Sequence, residues 1–354
     1  MKHTTMILAA LAACCALGSC RTDSPETQVS GLHGVLVLNN GNWGANDASV
    51  SLFDTDTKTV TGNVFYSVNR QRLGDLGQDI VRCGDELYIA LNGSKLVFVT
   101  DLELKLKAQV EAYNGESKLQ PRRLAAAEGK VYVTYYEGFL GEIDAATHTV
   151  RTVPVGNNPE GVALAAGKLY VANSGGLLYE SGYDTTLSVV DAATLTETAR
   201  LTVNCNPQCV VANASGSRVY VNSWGNYDDI LPKLQSVETA TLSVTDEDYA
   251  DVKGIAMGRG DTLIVVTGGY DADWQISGTL WKHDAARDVK AGRFSETAVT
   301  PYYSVSADAA SGQVFVGTSD YATDGDVWLF DARGRLSATF DAQGMNPQKC
   351  LLLD

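Results

Sequence analysis

The sequence predicts an all-β chain folded as a seven-bladed β-propeller with four-stranded blades, its ring closed by the C-terminal strand pairing in blade one. Three recurring tags carry the prediction. The first is a short β-branched and aromatic run: VLVLNN at 35, LYIALN at 87, VYVTYY at 131, LYVANS at 169, VYVNSW at 219, LIVVTG at 263 and VFVGTS at 314. Such runs read as strands. Their starts lie 38 to 52 residues apart, a period that with strand-only content points to a propeller. The second tag follows each first one (ASVSLFD, KLVFVTD, FLGEID, TLSVVD, KLQSVE, TLWKHD, DVWLFD) and ends in an acid: Asp54, Asp101, Asp144, Asp191, Glu238, Asp284 and Asp331. An acid just after a strand accepts hydrogen bonds from backbone N–H groups of the next turn, so these read as turn formers and not as catalytic carboxylates.

The third tag precedes each first one, but shifted by one repeat. It runs GQDIVRC at 77, PRRLAAAEG at 121, NPEGVALAAG at 158, NPQCVVANASG at 206, VKGIAMGRGD at 252, PYYSVSADAASG at 301 and MNPQKCLLLD at 345. Blade one lacks its opening strand, and the last tag is an opening strand with no successors. The last strand is therefore expected to fold back into blade one, leaving no open sheet edge and burying Leu351, Leu352 and Leu353. No linker or shift in composition divides 31–354, which reads as one propeller domain.

Residues 1–19 read as a lipoprotein signal peptide. A basic start, MKHTT, leads into the 14 apolar and small residues MILAALAACCALGS, too few to span a bilayer permanently. LGSC at 17–20 resembles a bacterial lipobox, which makes Cys20 the expected lipid anchor. Residues 20–30, polar with Pro and Gly, read as a flexible tether.

Composition narrows the function. The chain is 45% hydrophobic and 19% charged with a net charge of −15, enough apolar residues for a large core. Without a basic run, an acidic surface argues against nucleic acid and against membrane contact other than through the anchor. Four histidines (His3, His33, His148, His283) lack ligand spacing, so no metal site is expected. Cys205 and Cys209 lie close enough to pair or to remain two buried thiols. There is no G-x-S-x-G elbow and no phosphate-binding loop. DYATDGD at 320–326 slightly resembles a calcium loop but lacks the closing Glu. No enzyme activity and no cofactor are expected.

In a four-stranded blade, the turn before strand one and the turn between strands two and three share a face. The opposite turns are short: CGDE, AEGK, AAGK, ASGS, GRGD, ASGQ. The rim loops are long in blades one, four, five, six and seven: NNGNWGANDA, NSGGLLYESGYDT, NSWGNYDDILP, TGGYDADWQISG and TSDYATDGD. They and the adjoining turns carry Trp43, Tyr135, Tyr136, Tyr179, Tyr183, Trp224, Tyr227, Tyr270, Trp274, Tyr302, Tyr303 and Tyr321 among Asn, Asp and Gly. Stiff aromatic area mixed with adaptable polar groups suits a binding surface. Trp281 and Trp328 lie inside third strands and read as blade packing.

The blade pattern NPEG…GKLYVANSGG…TLSVVDAATLT resembles YncE-like propellers. LNNGNWGANDASVSLFD, FYSVNRQRLGDLGQ, TGGYDADW and YYSVSADAASGQVFVGTSDYATDGDVWLFDARGRL resemble a narrower group, the Bacteroidetes surface lipoprotein propellers related to the cobalamin-capturing BtuG. That resemblance covers essentially the whole mature chain. It implies cobalamin or another corrinoid as ligand, a TonB-dependent BtuB-type transporter as partner, and an outer-membrane, surface-exposed location. On that expectation Trp43, Trp224, Tyr227, Tyr270 and Trp274 supply apolar area against the corrin, and Asn42, Gln78, Asn173 and Asn226 pair with its amides. Tyr302 and Tyr321 complete the rim. With no His or Cys poised toward cobalt, capture is expected through contacts around the corrin. A glycan or a protein partner on the same face is the alternative.

Overall fold

The computed structural model describes residues 31–270 and 275–353; the signal peptide, the tether, Cys20 and Trp274 lie outside them. Seven four-stranded antiparallel sheets form. Their innermost strands, Gly77–Cys83, Pro121–Ala127, Pro159–Ala165, Pro207–Ala212, Val252–Met257, Tyr302–Ala307 and Pro347–Leu353, each touch the next in turn, and the last touches the first. A seven-bladed β-propeller ring results.

Ring closure is as the tags predict. Pro347–Leu353 pairs antiparallel with Gly34–Asn39, with Gly34 opposite Leu353 and Val37 opposite Cys350. The burial is not. Leu353 and Cys350 are buried, while Leu351 and Leu352 are only half-buried. Leu352 lies on the same face as Cys350 and packs, partly buried, against the blade-seven cluster.

The first tag owes its composition to inter-blade packing. Its aromatic position is Tyr88, Tyr132, Tyr170 and Tyr220 in blades two to five and Phe315 in blade seven, all buried. Apolar clusters join neighbouring blades: Tyr88 and Val99 meet Val131 and Ile143, and Phe53 meets Phe340 of blade seven with rings stacked at 4.1 Å. Each fully buried large apolar side chain contributes roughly 1.5–3 kcal/mol.

The turn acids act locally. Asp54, Asp101, Asp144, Asp191, Asp284 and Asp331 each accept from two backbone N–H groups within the next four residues. Glu238 is too long for that geometry and takes the Thr241 hydroxyl instead.

Candidate functional site

Backbone hydrogen bonds sort the loops into two faces. The residue that follows the second strand donates to the carbonyl just before an innermost strand: Asn40 to Asn346, Asn92 to Leu76, Tyr136 to Gln120, Ser174 to Asn158, Trp224 to Asn206 and Gly268 to Asp251. The long aromatic loops therefore share one face with the starts of the innermost strands. On the other face the acid-bearing turns bond to the short ones, as Ala145 does to Gly129 and Ala192 to Gly167.

All seven innermost strands depart from regular pairing at the same place, next to their first residue. Gln78, Gln208, Lys253, Tyr303 and Gln348 each stand between two paired neighbours without a partner of their own. In blades three and four the irregularity spans Arg122–Arg123 and Glu160–Gly161. A bulge re-aims a side chain, and here it places seven polar residues in a circle at the mouth of the channel: Gln78, Arg122, Glu160, Gln208, Lys253, Tyr303 and Gln348. Of these only Gln78 was singled out as a ligand contact from sequence. The signal was present, as the second residue of the aligned opening strands GQD, PRR, PEG, PQC, VKG, YYS and PQK.

The circle is internally bonded on one side. Arg122 Nε lies 3.1 and 3.0 Å from the two carboxylate oxygens of Glu160, and its guanidinium stacks over the Tyr136 ring at 4.8 Å. Arg123 reaches across to the Gln78 carbonyl. Gln348, with its amide nitrogen toward the Tyr303 hydroxyl (3.0 Å), accepts from both terminal nitrogens of Arg123 at 2.7 and 2.9 Å. On the other side Lys253 stands 5.2 Å above the Tyr270 ring, and its carbonyl accepts from Trp224 Nε1 at 3.1 Å.

Aromatic rings surround this mouth. Tyr183 and Tyr227 lie 6.0 Å apart, and Tyr303 and Tyr321 meet edge to face at 5.8 Å. Tyr227, Tyr270 and Tyr321 are exposed, and Trp224 is 38% exposed. Partial desolvation, with Tyr183 and Tyr270 close by, pushes the Tyr227 phenol up to about 12. These rings stay neutral at physiological pH and can offer both flat area and hydroxyl donors. Two hollows elsewhere, at Glu142–Arg151 in blade three and beside Arg259 and Ala332 between blades six and seven, do not border this face.

Several expected contacts are used inside the protein. Tyr302 is buried among Ile264, Val266 and Val316 between blades six and seven, so it is core and not rim. Tyr135 is likewise buried. Asn173 is fully buried: its oxygen accepts from Gly156 N–H, and its nitrogen donates to Thr186 and Ser188. Asn226 shapes its own loop, accepting from the N–H groups of Asp228 and Ile230 and donating to Asp229. Asn42 donates to the Met345 sulfur, and the adjacent Trp43 is 87% exposed on a loop pinned through Gly44 N–H to Asp75. Trp43, Trp224, Tyr227, Tyr270 and Tyr321 therefore reach the rim face exposed, while Asn173 and Tyr302 do not.

Cys205 and Cys209 are free thiols. Asp320, in the calcium-like loop, accepts from Ala322 and Thr323 N–H and so forms a turn. Among the described residues, Glu247, His283 and Asp288 group their ligand atoms within 4.8 Å. Protein donors already serve Asp288, with Tyr220 donating at 2.8 Å and Arg218 lying 3.3 Å from its other oxygen, while Glu247 Oε1 and His283 Nδ1 are buried without a hydrogen-bond partner among the described residues. A cation there would compete with a fixed guanidinium, so the cluster fits an inter-blade polar bridge better than a metal centre.

Fold and face together define a seven-bladed β-propeller with one elaborated side: an aromatic rim around a polar channel mouth. No family model matches the chain, and no curated protein matches it in sequence. In structure it is similar to a quinonprotein alcohol dehydrogenase-like protein from Bacteroides thetaiotaomicron (TM-score 0.66, 13% identity, covering 91% of this chain and 78% of that one). A functionally unknown protein from Desulfotomaculum acetoxidans is also similar (TM-score 0.62, 12% identity, 90% and 98% covered), as is the hydrazine synthase of Kuenenia stuttgartiensis (0.59, 14%, 77% and 88%). At these identities the likeness shows the fold alone.

Proposed function

We propose that this protein is a binding propeller and not an enzyme: a surface lipoprotein, anchored through Cys20 to the outer membrane, that captures cobalamin or a related corrinoid and passes it to a TonB-dependent transporter. The observation that carries the proposal is the arrangement of exposed Tyr227, Tyr270 and Tyr321 with Trp224 around the bulged polar circle, on the same face as the long loops. A corrinoid is large and flat and is ringed by amide side chains. It needs broad apolar contact with polar groups at its border, and this face has both. The sequence resemblance to cobalamin-capturing propellers points the same way. Asn173 and Asn226 are used within the fold, and so in part are the amides of the circle: Gln348 is bonded to Tyr303 and Arg123, Gln208 donates to Asn206, and Gln78 is buried.

Calorimetric titration with cyanocobalamin tests the proposal. Saturable binding at micromolar concentration or tighter is expected. No heat and no change in Trp fluorescence at that concentration rejects the corrinoid, and a glycan array then examines the same face.

A further inference from the structure

The channel mouth is cationic in an acidic chain. The second and third residues of the seven innermost strands include Arg122, Arg123, Lys253 and Lys349 against two carboxylates, Asp79 and Glu160. The protein as a whole carries −15. A local excess of positive charge within the aromatic rim calls for a reason, because bulged positions have no pairing constraint that demands it.

The cations differ in how far they are committed. Arg122 is held by Glu160 at 3.0 Å, Arg123 is held by Gln78 and Gln348, and Lys349 lies 3.8 Å from Asp79. Lys253 makes no ion pair with any described residue. Its ammonium lies over the Tyr270 ring, and its strand is braced by the Trp224 indole. Its half-buried place pushes its pKa down from the usual lysine value, and the nearby Asp251 carboxylate opposes the shift only in part. A ring face attracts an ammonium yet leaves its N–H donors free for an anion.

We propose that Lys253 is an anion subsite: it takes a phosphodiester or carboxylate of the ligand whose flat body rests on Tyr227, Tyr270 and Tyr321. For the identity of that body the proposal rests on the corrinoid reading; for the anion it does not. Cobalamin carries a phosphodiester in its nucleotide loop, and this is the group assigned to Lys253. The subsite selects complete corrinoids over forms that lack the loop.

The test uses the full mature chain and three probes: cyanocobalamin, dicyanocobinamide (which lacks the phosphodiester) and inorganic phosphate. Lys253→Gln is expected to weaken cyanocobalamin about tenfold or more and dicyanocobinamide less than about twofold, with Lys253→Arg close to wild type. Circular dichroism checks the fold of each variant. Equal loss for both corrinoids, or no loss for either, overturns the proposal while leaving corrinoid capture standing. Should the wild type bind neither corrinoid, capture fails, and the phosphate titration then decides the subsite. Millimolar binding that disappears in Lys253→Gln upholds the anion subsite, and no binding overturns it.

Discussion

Arg122 and Glu160 face each other from the innermost strands of neighbouring blades, with Arg122 Nε 3.0 and 3.1 Å from the two carboxylate oxygens. The Glu160 side chain is 4% exposed and that of Arg122 is 20%. Removing one member of so enclosed a pair leaves a charge without its counterion. Glu160→Ala is expected to lower stability by about 3 kcal/mol or more. The double variant Arg122→Ala/Glu160→Ala should lose less than the two single losses combined. Urea unfolding of all four proteins checks this; additive losses would count against the pair.

The closing strand gives a second expectation. Deleting residues 345–354 exposes the edge of Gly34–Asn39 and removes the buried Leu353 and Cys350. A loss of more than about 3 kcal/mol is expected, with a tendency to associate through the bare edge. Thermal melting and light scattering measure both. An unchanged melting temperature would show that the strand is dispensable.

Acid lability follows from the turn acids. Backbone hydrogen bonds, together with the Thr147 hydroxyl at Asp144, hold Asp54, Asp144, Asp191, Asp284 and Asp331 below the ordinary aspartate value of 3.8. A depressed folded-state pKa contributes stability that is fully present above the unfolded value. That contribution is lost as pH falls through the folded one. Stability from this source should hold down to about pH 4 and decline below 3.8. Asn keeps the acceptor and does not titrate, so Asp144→Asn, Asp191→Asn and Asp284→Asn combined should flatten the decline. Urea midpoints measured across the acid range decide it, and an equally steep fall in the triple variant would assign the lability elsewhere.

On the rim face, Trp224→Ala and Tyr227→Ala are each expected to weaken cyanocobalamin at least about tenfold with folding intact. Lys168→Ala, in a short turn on the far face, should leave affinity unchanged. Calorimetry separates the outcomes; loss of affinity only in the far-face variant would place the ligand on the face of the short turns.

The blades, their number and the closing strand were legible because each repeat states them again. The turn acids were legible because their role is local, a matter of two to four residues. The site was only partly so. Asn173 and Asn42 border rim loops of the same kind in sequence, yet one is fully buried and the other is not. Whether an amide turns in or out depends on strands dozens of residues away, such as Thr186 and Ser188 for Asn173. Tyr302 and Tyr303 are adjacent, and the irregularity in pairing just after Tyr302 sends one to the core and the other to the mouth. Arg218 directly follows the short far-face turn ASGS, yet it lies against Asp288 of the next blade. The polar circle forms no sequence motif because its seven members, three Gln with Arg, Glu, Lys and Tyr, are of five residue types; only their common register unites them.

That register has an evolutionary consequence. A side chain at a bulge answers to no partner across a ladder, so replacing it leaves the strand pairing beside it intact. Seven such positions face one opening, and each lies in a different blade. Outside the paired Arg122 and Glu160, a lineage can therefore retune the opening one position at a time, exchanging Gln208 for a base or Lys253 for an acid, while the surrounding ring keeps its stability. A change in what the opening accommodates then calls for point substitutions in a few short tags, with no redesign of the scaffold.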